Sequence, residues 1–569
     1  MIKRNWFAAC VPSAGIIGFA FVVAAQTAPA FAQLTIDTDR TTPVATSEAP
    51  VGEDLIIDSA GSIILSEPGT VLTIDSDTNV IVDIDVTGQI RGEITNTAAS
   101  DGIGIDIDLT QNRTGSIDLS GQLQVGEFGV DLPLGANNTG IRIGSGDGAG
   151  IYTGDITFNN RAIFLVSGDE SVGVELNQAV VGNITFDGAF QITGENSVGF
   201  ISTAAITGQL TFNANVVARG GAISLSTDIE PISGPAVAIG ASIAIDHDSD
   251  LGAATPETGG ILLDGSIVNR DNRVPSQVRT IGGAPALYIS PSITGAPDAD
   301  IILGLYSDLS DTEVGGEITV DDPAFDGVFE AGVNDVGIFS VVNRGTIQSD
   351  GFEPGVNTEA FVIEGDGVNS VIFNGGIYNN GSISAQAVSH NLAATNAAEA
   401  ASNATALIIG NGVDVPTLRN DGSIIGQTVG PAGGAGIGVL IEEGGNLPTL
   451  TNNSSISGLS LTNDDTDLAN ITAYAIWDRS GTLLNIDNKG LITETTVGST
   501  AVAIDVSAAT APVTITNTRA EDGSSPSFVT GDILFGAADG NVLTIDGHVT
   551  DNNGVTLRSS VDGRVISTG

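Results

Sequence analysis

Three kinds of side chain in this sequence could do chemistry: spaced carboxylates, histidines and hydroxyls. The best-spaced carboxylates lie in Asp246-His247-Asp248-Ser249-Asp250, with Glu257 at the twelfth position counted from Asp246. Oxygen donors at alternate residues, closed by a glutamate at the twelfth, are what a calcium loop needs. Here Gly252 occupies the seventh place instead of the sixth, Pro256 interrupts, and no flanking helix is signalled. The balance favours a solvated acidic loop over a calcium site formed by Asp246, Asp248, Asp250 and Glu257. Asn463-Asp464-Asp465-Thr466-Asp467 is a weaker version of the same pattern. The Gly-Gly-x-Gly-x-Asp spacing of a calcium roll does not repeat.

Catalysis of glycoside cleavage needs two carboxylates converging on one bond. Asp83, Asp85, Asp106 and Asp108 are candidates, because outward aspartates from neighbouring strands could line up on one face. Outward aspartates are also what any soluble acidic strand displays, and that plainer reading is preferred. His247, His390 and His548 are far apart, and none has a sequence-local partner suggesting a triad. No glycine-rich loop precedes a helix, so glycine here means turns rather than phosphate binding. No catalytic, metal or cofactor-binding residue is therefore assigned, and no cofactor is expected.

The elements that carry these residues announce themselves by repetition. Pro416-Thr417-Leu418-Arg419-Asn420-Asp421-Gly422-Ser423-Ile424 is echoed by Pro448-Thr449-Leu450-Thr451-Asn452-Asn453-Ser454-Ser455-Ile456. The Asn-x-(Gly/Ser)-x-Ile core recurs around Gly345, Gly381 and Gly490, at steps of 36, 41, 32 and 36 residues. Nearer the N-terminus, Gly154-Asp155-Ile156-Thr157-Phe158 returns at Gly182 and again at Gly208, and Gly168–Gly173 returns at Gly194–Gly199. A third echo joins Val71-Leu72-Thr73-Ile74-Asp75 to Val542-Leu543-Thr544-Ile545-Asp546. Ile103, Ile105, Ile107 and Leu109 alternate with Gly104, Asp106 and Asp108, the two-residue period of a strand with one apolar face.

Units of 26 to 41 residues are too short for immunoglobulin-like domains and lack the aromatic signatures of propeller blades. They fit an all-β solenoid, a right-handed parallel β-helix with irregular loop excursions, in which each coil buries its aliphatics against the next. About 20 coils stacked at ~4.8 Å would give a rod on the order of 100 Å. Stacked asparagines are expected to hydrogen-bond from rung to rung, as polar ladders do in cross-β stacks. The Ala- and Asn-rich stretch Ala385–Ala406 is expected to be a loop or short helix outside the rod.

Residues 1–32 read as a secretory signal: Lys3 and Arg4, an apolar run from Trp6 to Ala25, then an Ala30-Phe31-Ala32 cleavage box. Residues 33–569 form the repetitive domain. Cys10 precedes most of the apolar run, which excludes a lipoprotein reading, and it is the chain's single cysteine, so no disulfide staples the rod. The chain carries 68 acidic and 18 basic residues, and loss of Lys3 and Arg4 takes its net charge from −50 to −52. Such a surface repels nucleic acid and anionic headgroups. No later segment is apolar enough for a helical membrane span.

Residues 33–569 resemble autotransporter passenger domains of the type V secretion pathway, the pertactin-like β-helices. The Asn-x-Gly-x-Ile repeats carry the resemblance, together with Gly531-Asp532-Ile533-Leu534-Phe535-Gly536-Ala537-Ala538-Asp539-Gly540-Asn541-Val542-Leu543. It implies export across the inner membrane and translocation by a C-terminal outer-membrane β-barrel. That barrel is not recognisable here: the sequence runs to Val565-Ile566-Ser567-Thr568-Gly569 in repeat-like style, without aromatic girdles. The expected role is an exported cell-surface, outer-membrane or extracellular β-helix of Gram-negative type. It would serve adhesion or surface interaction without catalysis, with host, cell-surface or polysaccharide ligands as partners. The alternatives are a β-helical polysaccharide-degrading enzyme and a calcium-stabilised surface-layer component.

Overall fold

Short runs of branched aliphatics, each ended by Asn, Asp or Gly, pair in parallel and stack. The computed structural model describes residues 33–50, 52–83, 91–127, 135–146, 148–220, 234–244, 259–263, 265–269, 272–293, 300–305, 339–352, 355–388, 401–430, 434–461, 471–497, 500–519, 526–550 and 556–567. It contains three parallel sheets of 15 strands each. The first runs from Leu34–Ile36 to Val542–Ile545, the second from Asp39–Arg40 to Ser560–Asp562, the third from Val44–Ala45 to Val565–Ser567. Each coil gives one strand to each sheet, so the repetitive domain is a parallel β-helix. Among the described residues there are fifteen rungs against the expected 20, because some coils are enlarged: Arg279 pairs with Asp350, 71 residues on, from the adjacent rung. At ~4.8 Å per rung the stack is about 70 Å long.

The sequence echoes fall into register. Ile156, Ile184 and Leu210 stack in the first sheet, as do Phe158, Phe186 and Phe212. Leu418 lies against Leu450 and Ile424 against Ile456. The third echo is different. Val71 and Leu72 belong to the third sheet, whereas Val542 and Leu543 belong to the first, so their likeness is not structural equivalence. Ala385–Ala406 is also corrected at both ends. Ser382–Val388 and Ala404–Ile409 are strands, with Ala385, Ala387, Ala404 and Ala406 at most 1% exposed. Alanine there is small core, and residues 389–400 between lie outside the described residues.

The inner column is continuous, from Ile36 through Ile533 and Phe535. Its filling changes along the rod. Between Phe158 and Phe212 it is aromatic: Phe158, Phe186 and Phe212 stack at 4.7 and 5.1 Å, and Phe164 stacks on Phe190 at 4.2 Å. Further along, asparagine takes over. Asn343, Asn379, Asn420, Asn452, Asn488 and Asn517 are each fully buried. Each Nδ2 donates to the Oδ1 of the next, at 2.7, 2.7, 2.8, 2.8 and 2.7 Å. The second Nδ2 proton goes to a backbone carbonyl, such as that of Ser455 at 3.0 Å from Asn420. Asn343 Oδ1 also accepts from the Gly345 N–H at 3.1 Å, which ties the Asn-x-Gly turn to the ladder. A buried amide left unpaired costs about 1–3 kcal/mol, so every rung holds its neighbours in register.

Third-sheet strands carry a bend that alternation alone does not predict. In Gly102–Ile107 both Gly104 and Ile105 face inward, so Ile103 faces out, contrary to the simple two-residue pattern. The inward extra residue is small in rung after rung: Gly140, Gly173, Gly199, Ala236, Ala286, Ala360, Ala406, Gly438, Ala475 and Ala503. A Cβ added at Gly173 would sit 2.2 Å from Phe190 Cζ, and one at Gly140 would sit 2.3 Å from Phe164 Cζ. At Gly140 and Gly173 the obstacle is a phenylalanine reaching across from the second sheet, whereas at Gly199 and Gly438 an added Cβ would first meet the next rung's carbonyl oxygen, at 2.3 and 2.6 Å.

Candidate functional site

Most of the spaced carboxylates and histidines singled out in the sequence fall where the structure is not described. Asp246, Asp248, Asp250, Glu257, His247, His390, Asp85 and the 463–467 segment lie outside the described residues. His548 is in the hairpin strand His548–Thr550, paired with Arg558. Asp83 follows a first-sheet strand, whereas Asp106 sits in the third sheet, so these two do not share a sheet face. Asp106 is engaged by Arg142 in a two-pronged ion pair at 2.9 and 2.8 Å. Asp108 accepts the Thr110 N–H at 3.0 Å and lies 3.8 Å from the Arg113 guanidinium. Among the described residues no group of three or more His, Cys, Asp or Glu is placed to hold a metal ion.

A shallow acidic cleft lies beside Glu53, Asp54, Asp77 and Asn79. Two of its acids bond across coils. Asp77 accepts from the Thr114 N–H at 2.9 Å, and Asp54 accepts from Asn79 Nδ2 at 2.8 Å. This cleft is joinery between coils.

The outer face of the third sheet is of another kind. One outward column begins Thr73, Asp106, Arg142, Glu175 and then becomes apolar: Ile201, Ala238, Tyr288, Val362, Ile408, Leu440, Trp477. Asp505 interrupts it on the next rung, and Leu534 and Ile566 continue it. The bend adds a second outward column three residues earlier. In a straight strand, residues three apart point to opposite faces. Here the extra inward residue, Ala475, puts Tyr474 and Trp477 on the same side, with their rings stacked at 4.4 Å. Ile437 stands beside Tyr474 on the preceding rung. Val362, Ile408, Ile437 and Leu440 form an apolar cluster separate from the inner column, and Tyr288, Tyr474 and Trp477 pack against it, half-buried.

Carboxylates fringe this patch. Burial pushes the Glu359 carboxyl above its ordinary value, and the like charges of Glu364 and Glu442 push it further. Burial likewise raises the Tyr288 hydroxyl, which donates to Glu364. Tyr474 is raised by burial and then by Asp505. The Arg479 guanidinium carbon lies 5.4 Å from the centroid of the Trp477 ring. Aromatic faces bordered by carboxylates suit non-covalent capture: they can stack on flat groups and attract cations.

Sequence reasoning gave Trp477 no role. The Tyr474-x-x-Trp477 spacing was the available clue, but its meaning depends on the bend. No protein-family model, no curated protein and no solved structure matches this chain.

Proposed function

We propose that this chain is an exported, non-catalytic β-helical rod of passenger type, displayed on or released from a Gram-negative cell, that binds through one face. The observation that carries the reading is the aromatic and aliphatic patch on the outside of the third sheet, within a chain of net charge −50. Its aliphatics are at most 7% exposed, so the surface it offers is that of the half-buried rings of Tyr288, Tyr474 and Trp477, and aromatic rings with a polar tip suit binding. The leader-like residues 1–32 and the passenger-like repeats support export. Among the described residues no helix is long and apolar enough to cross a membrane. The strong acidity disfavours nucleic acid as the partner.

Expression with the native leader in a Gram-negative host tests this. Protease added to intact cells should remove the protein, and cells bearing it should adhere to a surface or to one another more than cells without it. Retention in the cytoplasm would remove the export reading. A fall in the viscosity of an acidic or neutral polysaccharide solution on incubation would turn the assignment toward an enzyme.

A further inference from the structure

We infer that the patch on the third sheet is a docking site for a basic, arginine-bearing polypeptide segment. The inference rests on the binding reading above and adds the chemistry of the partner. The accessible part of the patch is aromatic, since Tyr288, Tyr474 and Trp477 are half-buried while the aliphatics beneath them are at most 7% exposed. An aromatic ring attracts a guanidinium over its face. The chain's own Arg479 already does this to Trp477, at 5.4 Å. Carboxylates complete the environment: Glu364 accepts from the Tyr288 hydroxyl, and Glu359 is crowded by Glu364 and Glu442. Crowded like charges beside rings are relieved by cations from outside.

Tyr288 and Trp477 are five rungs apart counted inclusively, roughly 19 Å, which about six residues of extended chain would span. A neutral sugar would use the rings and leave the carboxylates without a counterpart. An anionic ligand would meet a chain of charge −50. A basic polypeptide satisfies both features.

The full chain carrying Trp6→Phe keeps Trp477 as its sole indole, so fluorescence reports from the patch itself. The probe is an acetylated peptide of about twelve alternating Arg and Ala residues, at about 0.15 M salt to screen diffuse attraction. The expected result is a saturable change in Trp477 emission. Tyr474→Leu, which alters no charge, should weaken binding about tenfold. Glu442→Lys should weaken it at least as much with the melting temperature unchanged, which separates lost docking from lost folding. Asp106→Asn, on the charged half of the same outer column, should leave affinity within about twofold. Equal binding of a Gln/Ala peptide would overturn the proposal, as would an Asp106→Asn loss matching that of Glu442→Lys, the mark of diffuse attraction. Saturation by a neutral oligosaccharide with no response to the basic peptide would also overturn it. These readouts do not depend on export, so failure of surface display and failure of docking are distinguishable.

Discussion

The rungs between Phe158 and Phe212 and those between Asn343 and Asn517 solve one problem in two ways. Both must fill the inside of a coil and hold it over the next. The aromatic rungs do so by volume. Phe186 stacks between Phe158 and Phe212, and its edge meets Phe190 at 5.6 Å. Such contacts are strong but forgiving in register, because a ring can slide on a ring at small cost. The asparagine rungs do so by hydrogen bonds of fixed direction, each Nδ2 from Asn343 to Asn488 donating to the next Oδ1 and to backbone carbonyl oxygen, as Asn420 does to Asn452 and Ser455. Coil length varies along this half, with ladder separations of 36, 41, 32, 36 and 29 residues. A directional ladder suits coils of unequal length, since it specifies alignment where sequence spacing does not.

The sharpest way to break this comparison is Asn420→Leu. It removes the acceptor of Asn379 and the donor to Asn452, leaving two buried amides without their partners. At about 1–3 kcal/mol for each orphaned group, a loss of about 3–5 kcal/mol is expected. It should show as a lower urea midpoint, with faster amide exchange around Asn379 and Asn452. A loss below about 1 kcal/mol would mean that the ladder is ornament on an apolar stack.

In the aromatic half the corresponding weak point is the glycine opposite the ring. Gly173→Ala would place a Cβ 2.2 Å from Phe190 Cζ and 2.3 Å from the Gly199 carbonyl oxygen. Overpacking of this kind costs about 1–3 kcal/mol. Phe190→Leu in the same chain should recover part of the loss, because Ala already occupies the bend at Ala236 and Ala286, where no phenylalanine reaches it. A double variant no more stable than Gly173→Ala alone would show that the backbone carbonyl, not the ring, demands glycine.

How much of this was legible beforehand follows from which signals are local. The strand class, the parallel solenoid and the register of Leu418 with Leu450 could be read, because neighbouring coils repeat side chain for side chain. The asparagine ladder could be read for the same reason. Its last member, Asn517, was missed, since Thr518-Arg519 follows it in place of x-Gly. The bend at Gly104 was not legible, because a small inward residue between outward Ile103 and inward Ile105 imitates simple alternation. The apolar patch was hidden for a different reason. Tyr288, Val362, Ile408, Leu440 and Trp477 are neighbours only through pairing, and the coils between them differ in length, so no fixed period exposes the column.

That outer column supplies a second comparison, between its apolar stretch and its charged one, and two smaller effects sharpen it. In the apolar stretch, Glu359 has its carboxyl raised by burial and then by Glu364 and Glu442. A folded-state value above the unfolded one means that the folded chain holds the proton more tightly. The stabilisation is therefore present in acid and lost as pH rises through the raised value. Glu359→Gln removes that dependence, so the variant should melt higher than the parent at neutral pH, with the difference closing near pH 4. The effect should be about 1 kcal/mol or less, given partial exposure. A variant that melts lower at neutral pH would mean that Glu359 is paired in solution.

In the charged stretch the Arg142–Asp106 pair should matter least of all, despite its good geometry. Its two hydrogen bonds, at 2.9 and 2.8 Å, are formed by side chains 30% and 20% exposed, where water and salt weaken attraction. Arg142 is nevertheless held in its charged form, first by the hydrogen bond to Asp106 and then, against the opposing effect of burial, by the charges of Asp106 and Glu175. Arg142→Gln leaves Asp106 and Glu175 on adjacent sides of a neutral rung, so both repulsion and the lost pair act in the same direction. Their sum is expected to be about 0.5–1 kcal/mol in low salt and smaller at 1 M salt. Glu175→Gln added to Arg142→Gln should restore most of it, because the remaining carboxylate then faces no like charge. Salt-independent loss would place the contribution in the packing of the arginine stem against the neighbouring rungs of Asp106 and Glu175 instead of in its charge.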